Sequence, residues 1–374
     1  MKKYKDINVY EATQKRLEFI FNEFDYIYLS FSGGKDSALL LNLVIDFMKR
    51  NNITKKIVLF HRDMEAQYSL TSQYVEETYK KLEQYVIPYW FCVEILHKNS
   101  FSSNNPFWVA WDRNKKDLWC RDIPNLDYII TNEKNSLPFL KDKMKHKEHY
   151  KEFGKYYAKQ VGTNKVANLI GLRADESLDR YCAVSRFAGY KDIYYSTDNK
   201  YNYSFYPIYD WSVKDLWFAN YKYNFDYNKI YDYFTYAGIP IEKQRVAQPF
   251  NLTAKKDIMF YKIIEPDLWN KFLKRVDGVN SNSLDGINLP SNFNNYQDYC
   301  NFLLNTLKQE TQDIFIKKIN NRVNNFKDKE LFYKTIANSI LNIDINLKYL
   351  QNINLKNDKS LKQNTINKWS NQDD

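Results

Sequence analysis

Ser30-Phe31-Ser32-Gly33-Gly34-Lys35-Asp36-Ser37 follows an apolar run at residues 26–29 and precedes a long apolar helical pattern at 38–48. Strand, glycine turn and helix start fall in that order. Such a turn aims backbone N–H groups and a helix N-terminus at one point, which suits a phosphate or sulfate. Gly33 and Gly34 let the backbone approach an anion with no Cβ in the way. Lys35 adds a point positive charge, and Ser32 and Ser37 add hydroxyls. Asp36, a carboxylate beside an anion site, needs a reason, and coordination of a Mg²⁺ that rides on phosphates supplies one. The spacing is neither G-x-x-x-x-G-K-[ST] nor G-x-G-x-x-G.

Working outward, residues 8–24 have the period of an amphipathic helix. Strands are predicted at 26–31, 56–61, 88–95, 166–171 and 203–208, with a helix at about 70–85 between the second and third. Strands alternating with helices predict an α/β fold with a parallel sheet covered on both faces. In such sheets ligands bind beyond the carboxyl ends of the strands. The S-G-G-K-D-S loop, Asp63 with Glu65 after the second strand, and the segment after Ile95 are expected at that edge.

Residues 97–163 interrupt the alternation and read as a lid or subdomain. They carry Trp108, Trp111 and Trp119, which either wall an aromatic pocket or form a small satellite core. A Lys-rich helix is predicted at about 140–160. In it, His146 and His149 are spaced to face one metal, but the surrounding lysines favour a solvated face. The domain boundaries read 1–225 for the α/β part and 226–350 for a helical C-terminal region, broken by a Gly/Asn/Ser-rich linker at 276–296. A polar tail at 351–374 is expected to be disordered.

The chain has 374 residues and a formal charge of +10, which favours anionic partners such as nucleotides, sulfonucleotides or nucleic acid. Mean hydropathy is −0.65. There is no apolar run long enough to cross a bilayer and no apolar core of a signal peptide near the first residues, so a cytoplasmic protein without a membrane is expected. Cys92, Cys120, Cys182 and Cys300 are far apart and form no C-x-x-C pair, which argues against a zinc site or an iron–sulfur cluster.

Three motifs sit on strand ends in chain order: S-G-G-K-D-S, then G-L-R-A-D-E-S-x-x-R at 171–180, then Y-P-I-Y-D-W-S-V-K-D-L-W at 206–217. Together they resemble the PAPS (phosphoadenosine phosphosulfate) reductase-like branch of the PP-loop ATP pyrophosphatase superfamily, also called adenine nucleotide alpha-hydrolase-like, over about residues 25–220. The W-x-x-W-D and W-C-R-D-I-P insertion resembles a subgroup of that branch with a helical C-terminal region, some members of which work with a ParB-like partner.

The resemblance implies a Rossmann-like five-stranded parallel sheet with a lid insertion. It implies that Ser30, Ser32, Gly33, Gly34, Lys35, Asp36 and Ser37 hold the terminal anion of an adenine nucleotide, ATP or PAPS, with Mg²⁺ at Asp36. Arg173 would clamp a phosphate or sulfate, where a planar fork suits the oxygens. The other reading of Arg173 is a salt bridge to Asp175 or Glu176. Arg180 would add a second positive group and Asp63 would meet the nucleoside, while Asp210 and Trp211 read as locks of the last strand–helix corner. Lys35, Asp36 and Arg173 are the candidate catalytic residues.

One departure bears on the chemistry. PAPS reductases use a cysteine in a C-terminal E-C-G-L-H-like motif, which this chain lacks. Cys120, between Trp119 and Arg121, is then the candidate thiol, against an ordinary half-buried cysteine. The expected reaction is cleavage of ATP between the α and β phosphates with adenylation of sulfate or a nucleic-acid group. The alternatives are a sulfonucleotide reductase or sulfurtransferase, and a nucleotide-binding regulator with a ParB-like partner.

Overall fold

A computed structural model describes residues 6–350 apart from 103, 187, 191–192, 198–200, 253, 255–257, 280–288, 290–292, 308, 327, 342–343 and 348–349. The expected disorder at 351–374 and most of the predicted linker at 276–296 lie outside the described residues. The chain divides into two compact units: residues 1–97, 109–249 and 256–269, and residues 98–108, 250–255 and 270–374.

The described strands are β1 Ile27–Ser30, β2 Ile57–Arg62, β3 Val86–Phe91, β4 Ile95–Lys98, β5 Phe107–Ala110, β6 Ile129–Ile130, β7 Met144–Lys145, β8 Val166–Ile170, β9 Ala188–Tyr190, β10 Ile193–Thr197 and β11 Asn202–Phe205. The helices are α1 Val9–Glu23, α2 Lys35–Arg50, α3 Ser69–Lys81, α4 His146–Gln160, α5 Leu178–Arg186, α6 Val213–Lys222, α7 Ile230–Tyr236, α8 Met259–Ile264, α9 Pro266–Arg275, α10 Tyr296–Asn305, α11 Gln309–Asn320 and α12 Lys329–Leu341.

The main sheet of the first unit runs β6-β3-β2-β1-β8-β11-β10-β9. Neighbours from β6 to β11 are parallel, and β10 and β9 continue antiparallel. All five strand segments read from the sequence lie in this sheet. The sheet is wider than five strands because β6 joins one edge and the β9–β10 pair joins the other. A two-residue strand such as β6 has no periodicity to read. In a second, smaller pairing, β4 lies parallel to β7, with Ile95 opposite Met144.

Alternation along β1 separates the two faces. Tyr28 packs with Val58 and Phe60 of β2, Phe91 of β3, and Phe153 and Tyr157 of α4 in one buried cluster. Thus two elements inside the insertion at 97–163 belong to the sheet layer: α4 covers it and β6 extends it. On the other face α2 packs with α1 and α6. The bidentate pair of Arg16 on α1 with Asp210, at 2.8 and 2.6 Å, joins α1 to the corner before α6. Trp211 Nε1 donates to Thr13 Oγ1 at 2.8 Å, and Ser212 with Asp215 forms a capping box at the start of α6. Asp210 and Trp211 therefore lock the corner as read.

In the second unit, α10, α11 and α12 share a core built from Cys300, Leu303, Phe315, Ile319, Phe332 and Ile336. Trp108, Phe250 and Phe272 pack edge to face in another part of it, at 5.0 Å between successive ring centroids.

Gly171, just past β8, shows how tightly the sheet edge and α2 meet. A Cβ there would lie 2.7 Å from Asp36 O and 2.8 Å from Ser37 N, both backbone atoms that cannot rotate away. We expect Gly171→Ala to lower unfolding free energy by about 1–3 kcal/mol, the usual cost of overpacking, as read by urea denaturation. An unchanged midpoint would show that α2 can retreat.

Candidate functional site

The strand order reverses at β1: the chain leaves it for β2 and β3 on one side and returns to β8 on the other. A parallel α/β sheet opens a crevice at such a point, beyond the carboxyl ends of the two strands. The loop after β1 is S-G-G-K-D-S and the loop after β8 is G-L-R-A-D-E-S, so two of the three sequence motifs flank one crevice.

Gly33 has φ +73°, the left-handed conformation that glycine adopts without strain. Gly34 is the N-cap of α2 and has no side chain to cap it, so the first-turn N–H groups of the helix have no partner from the N-cap residue, and that of Lys35 goes instead to Tyr231 Oη. Ser37 Oγ lies 3.0 Å from Ser32 Oγ and donates to Gly34 O at 3.0 Å, which holds the turn closed. Ser30 Oγ donates to Asn168 Oδ1 at 2.9 Å, so this hydroxyl ties β1 to β8.

Lys35 is buried. Its Nζ donates to the Gln244 carbonyl at 2.6 Å and lies 3.7 Å from Asp36 Oδ2. Burial pulls the Lys35 ammonium below the usual lysine range, and the Asp36 carboxylate opposes that pull. Arg173 is buried and forms an ion pair with Asp36 across the crevice. It also lies 3.8 Å from Asp175. The alternative expected for Arg173, a bridge to its acidic neighbours, is thus present at Asp175. Its close partner Asp36 comes from the other motif, where no sequence spacing links the two. Arg180 on α5 pairs with Glu176 at 2.7 Å.

Asp63 is not with this group. Its carboxylate is fully buried, pairs with Arg121, and accepts from Trp90 Nε1 at 3.0 Å and from the Glu65 N–H at 2.9 Å. Burial pushes the Asp63 carboxyl up, but the Arg121 guanidinium, His61 and the Glu65 N–H together outweigh it and hold the carboxyl below the usual carboxylate range. Glu65, with φ +61°, accepts from the N–H groups of Trp111 at 2.6 Å and Cys120 at 3.1 Å. The two carboxylates after β2 therefore clamp residues 111–121 onto the sheet. Trp111 and Trp119 stack edge to face at 5.1 Å within that clamp, the satellite-core arrangement. Cys120 is buried inside it.

The expected solvated face at His146 and His149 is corrected in half. His146 keeps exposed surface, but its Nε2 meets Arg62 Nη2 and its ring lies against Tyr150, so burial and Arg62 hold it below the usual histidine range, whereas His149 is fully buried against Phe60, Phe91 and Phe139. Position 149 lies on the stripe of α4 that carries Phe153, so helical geometry turns it inward. Burial keeps its imidazole neutral, well below the usual histidine range. Among the described residues no group of three or more His, Cys, Asp or Glu side chains is arranged to hold a metal ion.

Sequence reading missed three residues at the loop, all beyond residue 226. Asn228 Nδ2 donates to Gly33 O and to Thr71 Oγ1, both at 2.9 Å. Tyr231 Oη accepts the Lys35 N–H at 2.9 Å. Gln244 supplies the carbonyl on Lys35 Nζ. Asn228 and Tyr231 belong to no motif in the sequence, and Gln244 lies in Gln244-Arg245-Val246-Ala247-Gln248, in a stretch read as helical.

A family model described as "Domain of unknown function (DUF3440)" matches residues 238–373. Among curated proteins, "Uncharacterized protein YbdN" of Escherichia coli (strain K12) is 30% identical over 331 residues, covering 84% of this chain and 79% of that protein. Among solved structures, an FMN adenylyltransferase of Candida glabrata in complex with FAD and inorganic pyrophosphate is 16% identical, with a TM-score of 0.36, over 60% of this chain and 59% of that one. This chain thus spans less than two thirds of the length of that adenylyltransferase. A PAPS reductase of Candida auris in a phosphate complex is 13% identical, with a TM-score of 0.33, over 62% of this chain and 93% of that one. The U34-tRNA thiolase NcsA of Methanococcus maripaludis, with its [4Fe-4S] cluster, is 10% identical, with a TM-score of 0.33, over 72% and 80%.

Two substitutions separate the roles of these charges. Lys35→Met removes a buried charge at nearly constant volume, so its thermal midpoint in scanning calorimetry is expected to be no lower than wild type; a large drop would make Lys35 a fold residue. Arg121→Met leaves Asp63 buried and unpaired, and is expected to cost about 3–5 kcal/mol at neutral pH. Because the folded Asp63 pKa is depressed, its pairing stabilises above the usual carboxylate pKa and is lost as pH falls through the folded value. The deficit of Arg121→Met in denaturation should therefore shrink in acid, and a pH-independent deficit would contradict the assignment.

Proposed function

This chain belongs to the family of the Escherichia coli protein YbdN, and we propose that it binds an adenine nucleotide at the β1/β8 crevice and cleaves ATP between the α and β phosphates. The adenylyl group passes to an acceptor, sulfate or a group on a nucleic acid. The observation that supports this reading is the pairing of Asp36 with Arg173 across the crevice, which puts Lys35 and Arg173 beside the N-terminus of α2.

In this scheme the N–H groups at the start of α2 and the Lys35 ammonium hold the β and γ phosphates. Arg173 neutralises charge at the scissile bridge. An acceptor oxygen attacks the α-phosphorus in line, the bond from that phosphorus to the bridging oxygen breaks, and pyrophosphate leaves with the bonding electrons. Asp36, at the mouth of the loop, is the carboxylate that would hold a Mg²⁺ carried in on the phosphates, and one carboxylate plus phosphate oxygens suits that ion. When bound, the ion supplies charge neutralisation. No covalent side-chain nucleophile is needed.

Thiol reduction of a sulfonucleotide is the weaker reading. Cys92, Cys120 and Cys300 are buried, and burial pushes the Cys300 thiol up to about 12. A buried thiol in apolar surroundings is a poor nucleophile.

Calorimetry with Mg²⁺ and ATP, adenosine phosphosulfate or PAPS tests the proposal. Preference for ATP is expected, with pyrophosphate release in the presence of sulfate or RNA, and loss of both in Lys35→Ala. Preference for PAPS, or pyrophosphate release that survives Lys35→Ala, would overturn it.

A further inference from the structure

The stretch from Asn228 to Arg245 belongs to none of the three motifs, yet it meets the loop repeatedly. Asn228 holds the Gly33 carbonyl and Tyr231 takes the Lys35 N–H. Gln244 takes one of the three donors of the Lys35 ammonium. The next residue is Arg245, whose Nη2 donates to the Glu176 carbonyl at 2.7 Å and whose Nε lies 3.7 Å from Glu176 Oε1. The other carboxylate oxygen of Glu176 holds Arg180 at 2.7 Å. Glu176 is thus a shared counter-ion for two guanidinium groups, in the loop that also carries Arg173. The Lys35 ammonium senses the charges of Arg173, Glu176 and Arg245 together.

Arg173 and Arg245 differ in one decisive way. Arg173 is 2% exposed and fixed by its carboxylates, whereas Arg245 is 35% exposed and its carboxylate is shared and not in close contact. Arg245 is open to solvent on its own side of this pair, although Glu176 is 11% exposed, and a long, shared contact of this kind holds a guanidinium weakly. A phosphate or sulfate offers a guanidinium two parallel charge-assisted hydrogen bonds, which a carboxylate oxygen 3.7 Å away does not supply.

We infer that Arg245 is a further oxyanion-binding residue of this site, held beside the loop by Glu176 and transferred to the phosphate-rich end of the bound nucleotide. The inference rests on the nucleotide-binding reading above and adds a recognition residue from outside the sheet motifs. The ligand chemistry it names is a tetrahedral oxyanion beyond the α-phosphate, whether the γ-phosphate of ATP or the sulfate of a sulfonucleotide. Glu176 would then be a placeholder whose charge competes with the ligand.

The test is calorimetric titration of the full chain with Mg²⁺ and AMP, ATP or PAPS, for wild type, Arg245→Ala, Arg245→Lys and Glu176→Gln. Arg245→Ala is expected to weaken ATP or PAPS by about tenfold or more, the loss of a charged hydrogen-bonded contact, while AMP binding is unchanged and reports an intact fold. Whichever of ATP and PAPS suffers the loss identifies the source of the oxyanion. Arg245→Lys, which keeps the charge without the fork, should fall between. Glu176→Gln should tighten the same ligand. If Arg245→Ala and Glu176→Gln weaken all three nucleotides alike, Arg245 is a staple for the segment and the inference fails while nucleotide binding stands. An unchanged ratio of ATP to AMP affinity in Arg245→Ala would likewise overturn it. Failure of wild type to bind any of the three would remove the nucleotide-binding reading itself, and this inference with it.

Discussion

The Arg173–Asp36 ion pair joins the loop after β1 to the loop after β8, and the geometry of the crevice follows from it. The pair is possible because β1 and β8 are parallel neighbours in register, with Leu29 beside Leu169. Parallel pairing brings both carboxyl ends to one edge. Gly171 then lets the end of β8 come within contact of the backbone at Asp36 and Ser37. With a side chain at 171 the two loops would be forced apart, and Arg173 would be drawn away from Asp36.

Buried charge recurs through the first unit, and it is handled in two ways. At Asp63 and Arg121 the two charges are locked together and surrounded by further donors, so the pair acts as a fastener between β2 and the following insertion. Beside the close Arg173–Asp36 pair of the crevice, other charges are held more loosely. Lys35 leans on a neutral carbonyl, and Glu176 divides itself between Arg180 and Arg245. A completely satisfied buried pair is costly to disturb, whereas a carboxylate shared between two part-exposed guanidinium groups holds each less firmly. That contrast separates the fold-holding carboxylate after β2 from the region after β8 where we propose that the ligand binds.

Local pattern sufficed where one stretch carries its own meaning. An apolar run, two glycines and a helical period mark the loop at residues 30–37 without reference to any other segment. The capping box at Ser212 and Asp215 is legible for the same reason, since its partners are three residues apart. Legibility stopped where burial decided. Asp63 and Glu65 look like site carboxylates by position, yet Arg121, Trp111 and Cys120, all far along the chain, turn them into structural clamps. His149 reads as solvated from its lysine neighbours, but the stripe it shares with Phe153 points into the core.

The sequence by itself determined the α/β class, the glycine loop between strand and helix and the order of the motifs, because periodicity, glycine placement and capping act over a few residues. Only the tertiary structure decided which charges meet. Arg173 with Asp36, Gln244 with Lys35, and Arg245 with Glu176 are separated by long stretches of chain, and nothing in local spacing encodes them. Strand order brings the first pair together, and the return of the chain at residues 228–245 brings the other two. The physical reason is that an ion pair or a captured ammonium depends on distance and burial in three dimensions, which the sheet and its packing supply after the local elements have formed.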